Sequence, residues 1–152
     1  MTKILFICHG NICRSPMAEF IMKKLLKDRG LEKEFYIESA ATTREEIGND
    51  IYPPAKRKLL KEGIPFNSRR ARIMTKSDYD NFDYIIGMDQ ENKYDLRDFY
   101  YPDDEKKLSQ LLDWTVRKGE NVADPWYTGN FEITYDDLIE GCQGIIDKLV
   151  SK

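Results

Sequence analysis

The stretch Ile7–Pro16 reads ICHGNICRSP and places two cysteines, a glycine, an asparagine and an arginine within ten residues. Such a stretch can be half of a disulfide pair, half of a metal site, or the cradle of a nucleophile. In the third case the chemistry is specific. A loop over residues 8–14 that wraps a ligand turns its backbone N–H groups inward, and a helix starting near Ser15 adds the positive end of its dipole. The result is an anion site suited to phosphate. Gly10 is expected to supply the backbone angles of a tight cradle. Arg14 can grip two phosphate oxygens with its planar fork. Cys8 ends an apolar run and is aimed at the bound phosphorus. Helix ends and neighbouring cations favour a thiolate, which can attack phosphorus to form a phosphocysteine. Ser15 can donate to the Cys8 sulfur, and Asn11 can hold the loop through its amide. His9, Ile12 and Cys13 complete the lining.

Cys8 and Cys13 lack C-x-x-C spacing, and three cysteines are an odd number. They suggest no disulfide framework. A structural zinc site needs four ligands, whereas this chain offers three cysteines and one histidine, His9, directly beside Cys8. No metal is expected. The pattern C-x5-R is weak alone; the apolar run before it and the Ser-Pro after it lend it weight.

A departing alkoxide or phenolate needs a proton. The segment ADPWYTGNF offers Asp124 as the acid, with Trp126 and Tyr127 as walls that exclude water. Asp-Pro alone is a common turn; beside a nucleophile loop it becomes a general-acid candidate.

These residues need a frame. KILFIC (3–8) reads as a buried strand. SPMAEFIMKKLLKDRG then reads as a helix capped by Ser15, with Pro16 in its first turn and Gly30 at its close. FYIESA is a second strand, PPAKRKLLKEG a helix closed by Gly63, TKSDYDNF a short helix from Thr75, and DYIIGM a third strand. Asp89 can cap the helix QENKYDLRDF. KKLSQLLDW fits a short strand or a turn of helix, and TYDDLIEGCQGIIDKLV is the last helix. Strands alternating with helices predict an α/β doubly wound domain, with a parallel sheet covered on both faces. Ligands bind beyond the carboxyl ends of such strands, where Cys8 falls.

The bulk properties fit one domain over residues 1–152. Apolar residues at 41% and charged residues at 34% mark a globular chain rather than a disordered one. The net charge of -3 excludes a general nucleic-acid binder, and the basic cluster NSRRARIMTK is too short to reverse that. No apolar run approaches the roughly 18 residues that span a bilayer, so no membrane partner is expected. The start, MTKILFICHG, is too short an apolar stretch for a signal peptide, and a cytoplasmic location is expected.

Together the two motifs resemble the low-molecular-weight protein tyrosine phosphatase family. Its signature C-x-G-N-x-C-R-S-P appears as CHGNICRSP, and its Asp-Pro-aromatic loop as DPWY. SAATT with Gly48, RRARIMTKSDYDNFDYIIGMD and Asn92 follow its middle section, so the likeness covers nearly the whole chain. The resemblance implies a flavodoxin-like four-stranded parallel sheet, no cofactor, nucleophile Cys8, phosphate-binding Arg14 and general acid Asp124. It also implies a supporting network of Asn11, Ser15 and Ser39. The implied substrate is a phosphotyrosine-containing protein or small aryl phosphate, with inorganic phosphate as product and competing ligand.

The chain departs from the family pattern in places. Glu45 stands near an expected cleft aromatic, leaving Trp126 and Tyr127 to hold the ring. Glu45 and Glu46 can select basic sequence around the phosphotyrosine or form a solvated charge pair. Arg69 stands where many eukaryotic members carry a histidine. His9 replaces a usually apolar residue, and its ring is expected at the cleft mouth, touching substrate or simply solvated. Arginine phosphatases of this fold carry threonine in place of Ile12, so Ile12 favours an aryl phosphate. Arsenate reductases need two further relay cysteines, but Cys142 lies on the apolar face of the last helix and reads as core. A phosphate-binding module without turnover would not need the full Cys8, Arg14 and Asp124 set. Cys13 either packs in the loop or captures an oxidised Cys8 as a disulfide.

Overall fold

The computed structural model describes residues 1–99, 103 and 105–150. At its centre is β1, Thr2–Cys8. It pairs in parallel with β2, Phe35–Ala41, on one side and with β3, Tyr84–Gly87, on the other. β4, Leu108–Gln110, extends the sheet in parallel beyond β3, giving the order β2-β1-β3-β4. The expected four-stranded parallel α/β sheet is therefore present.

β1 shows why the sheet is covered twice. Successive side chains of a strand point to opposite faces. Ile4, Phe6 and Cys8 join one core cluster, and Leu5 and Ile7 join the other. The first cluster is closed by α1, Arg14–Asp28, and α6, Phe131–Val150, with Ala55 and Leu59 of α2, Pro53–Lys61. The second is closed by Tyr79 of α3, Lys76–Asn81, and Leu96 of α4, Gln90–Phe99. A strand buried on both faces must be apolar without alternation, as KILFIC is.

Several local expectations change. α1 starts at Arg14 with Cys13 at its N-cap, and no side chain caps it. Ser15 is not the cap; it lies inside the helix with its hydroxyl turned toward Cys8. KKLSQLLDW is strand and helix in turn, since a 3-10 turn over Leu111–Trp114 follows β4 directly. The last helix begins at Phe131 rather than Thr134, because Asn130 Oδ1 accepts from the amides of Glu132 at 3.0 Å and Ile133 at 3.2 Å. Asp124 caps a short helix, α5, Pro125–Thr128, by accepting from the Trp126 amide at 3.0 Å.

Cys142 is fully buried, as expected of a core residue. Two glycines beside it let α6 approach the 3-10 turn. A Cβ on Gly141 would lie 2.2 Å from Leu111 Cγ, and one on Gly144 2.3 Å from the Trp114 carbonyl oxygen. No helix among the described residues is long and apolar enough to cross a membrane.

Candidate active site

β2 and β3 lie on opposite sides of β1, so the connections diverge at its carboxyl end and leave a crevice there. Cys8 is the last residue of β1 and is 3% exposed. The loop from His9 to Cys13 starts from it.

The loop's carbonyls are held from outside. Cys8 O accepts from the Thr42 amide at 3.0 Å, His9 O from the Thr43 amide at 3.1 Å, and Ile12 O from the Tyr52 amide at 2.8 Å. Asn11 O accepts from Arg69 Nη2. The amides of Gly10, Asn11, Ile12 and Cys13 find no protein acceptor among the described residues. With the oxygens held outward, these donors remain for an anion at the centre, beside the start of α1.

The residue that permits this curvature is not the expected one. Asn11 takes the left-handed conformation, φ 58, and Gly10 does not. Asparagine tolerates that region better than most residues because its short amide bonds locally. Here Asn11 Nδ2 donates to Ser15 Oγ at 2.8 Å and to Ser39 Oγ at 2.9 Å, while its Oδ1 accepts from the Arg72 amide at 3.3 Å. Gly10 supplies space: a Cβ there would lie 3.1 Å from Glu46 Cγ.

The same bonds orient the two hydroxyls. Both hydrogens of the Asn11 amide point at serine oxygens, so each serine keeps its own hydrogen for another acceptor. Ser39 donates to Glu19 Oε1 at 2.6 Å. Ser15 Oγ lies 3.1 Å from Cys8 Sγ, and the Ser15 amide donates to that sulfur at 3.4 Å. A thiolate at Cys8 thus receives an O–H and an N–H.

Arg14, 3% exposed, lies across the crevice. Its Nη1 donates to Asp89 Oδ2 at 2.9 Å and to Val122 O at 3.0 Å, and its Nη2 reaches Asp124 Oδ2 at 3.4 Å. Burial works against its charge, but Cys8, Asp89 and Asp124 outweigh it and raise the guanidinium pKa. The Cys13 pKa is raised as well, which favours its neutral thiol: burial first, then the charges of Cys8 and Asp124, push it far up.

A cleft of about 370 Å³ opens over the loop. Of the expected residues, Cys8, His9, Gly10, Ile12, Cys13, Arg14, Asp124, Trp126 and Tyr127 line it. Asn11, Ser15 and Ser39 stand behind it as the hydrogen-bonded support. His9 lies at the mouth, with Nε2 2.8 Å from Glu45 Oε2. Trp126 leans on Tyr52 with ring centroids 5.0 Å apart, so one aromatic wall is backed by another. Tyr127 is 85% exposed.

Sequence reasoning missed Asp89, Glu91 and Asn92 as lining residues. The sequence presents Asp89 only as a helix cap. It is one, since Asn92 N donates to its Oδ1 at 2.8 Å, but its other oxygen holds Arg14. Its place just past β3, the neighbour of β1, was the available signal.

A thiol at the floor of an anion-binding loop, at the carboxyl edge of a doubly wound parallel sheet, defines a class of proteins that act on phosphate esters through cysteine. The comparisons narrow the class. The family model described as low molecular weight phosphotyrosine protein phosphatase matches residues 3–152, and the chain belongs to that family. It is 37% identical over 150 residues to a low molecular weight protein-tyrosine-phosphatase, PtpA, of Staphylococcus aureus, covering 99% of this chain and 95% of the relative. The crystal structure of YfkJ from Bacillus subtilis superposes with a TM-score of 0.94 at 38% identity, covering 99% of this chain and 96% of that one. A Drosophila arginine phosphatase structure superposes with a TM-score of 0.90 at 30% identity, covering 99% of each chain.

Proposed function

We propose that this chain is a single catalytic domain that hydrolyses phosphotyrosine, in proteins or as small aryl phosphates, through a phosphocysteine at Cys8. The observation that supports it is that Cys8, Arg14 and Asp124 line one cleft, with Arg14 Nη2 3.4 Å from Asp124 Oδ2. In the first step the Cys8 thiolate attacks phosphorus. The bond from phosphorus to the aryl oxygen breaks, its electrons stay on oxygen, and Asp124 gives that oxygen its proton. The loop amides and Arg14 hold the three non-bridging oxygens as charge spreads over them. In the second step Asp124, now a carboxylate, takes a proton from water as the water oxygen attacks phosphorus. The S–P bond breaks, the thiolate returns with the bonds of Ser15 around it, and inorganic phosphate leaves.

The test is p-nitrophenyl phosphate hydrolysis by wild type, Cys8→Ser and Asp124→Ala. Cys8→Ser is expected to be inactive, and Asp124→Ala to lose about 10²-fold or more in kcat. Turnover surviving in Cys8→Ser would sink the mechanism.

Phosphoarginine is the second reading, favoured by the likeness to the Drosophila arginine phosphatase. Ile12, at 9% exposure in the cleft wall, supports the aryl substrate, because an apolar side chain offers a guanidinium no acceptor. Matched phosphotyrosine, phosphoarginine and phosphoserine peptides discriminate, and the highest kcat/KM is expected for phosphotyrosine.

A further inference from the structure

We infer that Thr134 and Asp137, on the first turns of α6, are positioning residues that aim Asp124 at the leaving group. The inference rests on the reading of Asp124 as general acid. The neighbouring residue, Ala123, is held by both its backbone groups. Its carbonyl accepts from Thr134 Oγ1 at 2.8 Å, and its amide donates to Asp137 Oδ2 at 3.2 Å. Thr134 and Asp137 are three residues apart and so share one face of the helix. They are 0% and 6% exposed, respectively.

A buried carboxylate needs a counter-charge or donors. Asp137 has both, since its Oδ1 accepts from Arg117 Nη1 at 2.7 Å while Oδ2 takes the Ala123 amide. The preceding residue is fixed as well: the Val122 amide donates to Met88 O at 2.8 Å, and its carbonyl accepts from Arg14 at 3.0 Å. Residues 122 and 123, just before Asp124, are therefore pinned at four backbone atoms, two by Met88 and Arg14 and two by α6. Among the described residues, the carboxyl of Asp124 hydrogen-bonds only Arg14 Nη2, at 3.4 Å, and the Trp126 amide, at 3.0 Å. Its direction is set by the backbone, and the α6 contacts are the half of that grip lying outside the site.

Misaiming a general acid has a signature that ordinary destabilisation lacks. Substrates with basic leaving groups need the proton; substrates with acidic ones depart without it. The measurement is kcat/KM, which reports the step in which the aryl group leaves, for phenyl phosphate and for 2,4-dinitrophenyl phosphate. Thr134→Val keeps the shape and removes the donor, and Asp137→Asn keeps an acceptor and removes the charge. Each is expected to lose about tenfold on phenyl phosphate and less than about twofold on the dinitrophenyl ester. Thr134→Ser is expected to restore the loss. Equal losses on both substrates, or none, would overturn the inference. Asp124→Asn separates the general-acid role of Asp124 from the positioning role of α6. If it loses rate without regard to leaving group, the general-acid assignment itself fails. If it shows the dependence and the α6 variants do not, only the positioning role fails.

Discussion

Arg14 Nη1 donates to Asp89 Oδ2 at 2.9 Å, so the guanidinium of the phosphate loop is held by a carboxylate from beyond β3. Arg14 comes from one side of the crevice and Asp89 from the other. Their contact fixes a long side chain that would otherwise sample many rotamers.

Replacing Asp89 removes one of the three acceptors that hold that fork, leaving Val122 O and Asp124. A charge-assisted hydrogen bond of this kind is worth about 1.5–3 kcal/mol. Asp89→Ala is expected to weaken inhibition by inorganic phosphate and to lower kcat/KM for p-nitrophenyl phosphate by roughly tenfold to a hundredfold. An unchanged phosphate inhibition constant would show that Arg14 finds its place without Asp89.

The two glycines of α6 are expected to differ in tolerance. Gly141→Ala meets the Leu111 side chain, which can change rotamer, whereas Gly144→Ala meets the Trp114 backbone oxygen, which cannot move alone. Both substitutions overpack the interface, at a cost of about 1–3 kcal/mol. Gly144→Ala is predicted to be the more damaging, read as the lower urea midpoint.

Acid should weaken a contact near the loop. Burial raises the carboxyl pKa of Asp50, but a hydrogen bond from Lys56 and the amides of Ile51 and Arg69 outweigh it and bring the value down to about 2. A carboxyl lowered on folding stabilises the native state above its unfolded pKa, and that contribution disappears as pH falls through the folded value. The share due to Asp50 is thus complete above about pH 4 and lost toward pH 2. Asp50→Asn is predicted to flatten the stability profile in that window, measured by thermal melts. A profile parallel to wild type would refute the assignment.

Oxidation tests the two loop cysteines. Cys8 and Cys13 are both free and buried. Capture of a sulfenic acid on Cys8 needs the Cys13 thiolate, and burial keeps that thiol protonated. A Cys8–Cys13 disulfide is therefore expected to form faster as pH rises, followed by mass spectrometry after mild peroxide treatment. Over-oxidised Cys8 with free Cys13 at every pH would rule the disulfide out.

Much of the candidate site was legible because it is local. Cys8, Asn11, Arg14 and Ser15 lie within one turn of chain, and their spacing alone implies a loop closing on an anion. The apolar run of β1 and the helical spacing after it implied the parallel sheet. Elements whose signal was shared between neighbours were less clear. Residues 108–114 carry a strand and a 3-10 turn with no break between them. The start of α6 hid behind Asn130, a cap that also reads as a loop residue.

By itself, then, the sequence determined the chemistry: a thiol and an arginine at the start of a helix, and a distant carboxyl beside aromatics. The tertiary structure decided which groups meet. That Asn11 rather than Gly10 takes the left-handed turn follows from the three partners around its amide. That Asp89 holds Arg14, and Tyr52 backs Trp126, follows from which strands and helices end beside one another. These two pairings join residues 75 and 74 apart in the chain, and no local periodicity encodes them. They exist only because burial of the sheet's two apolar faces brings the loop ends to one crevice.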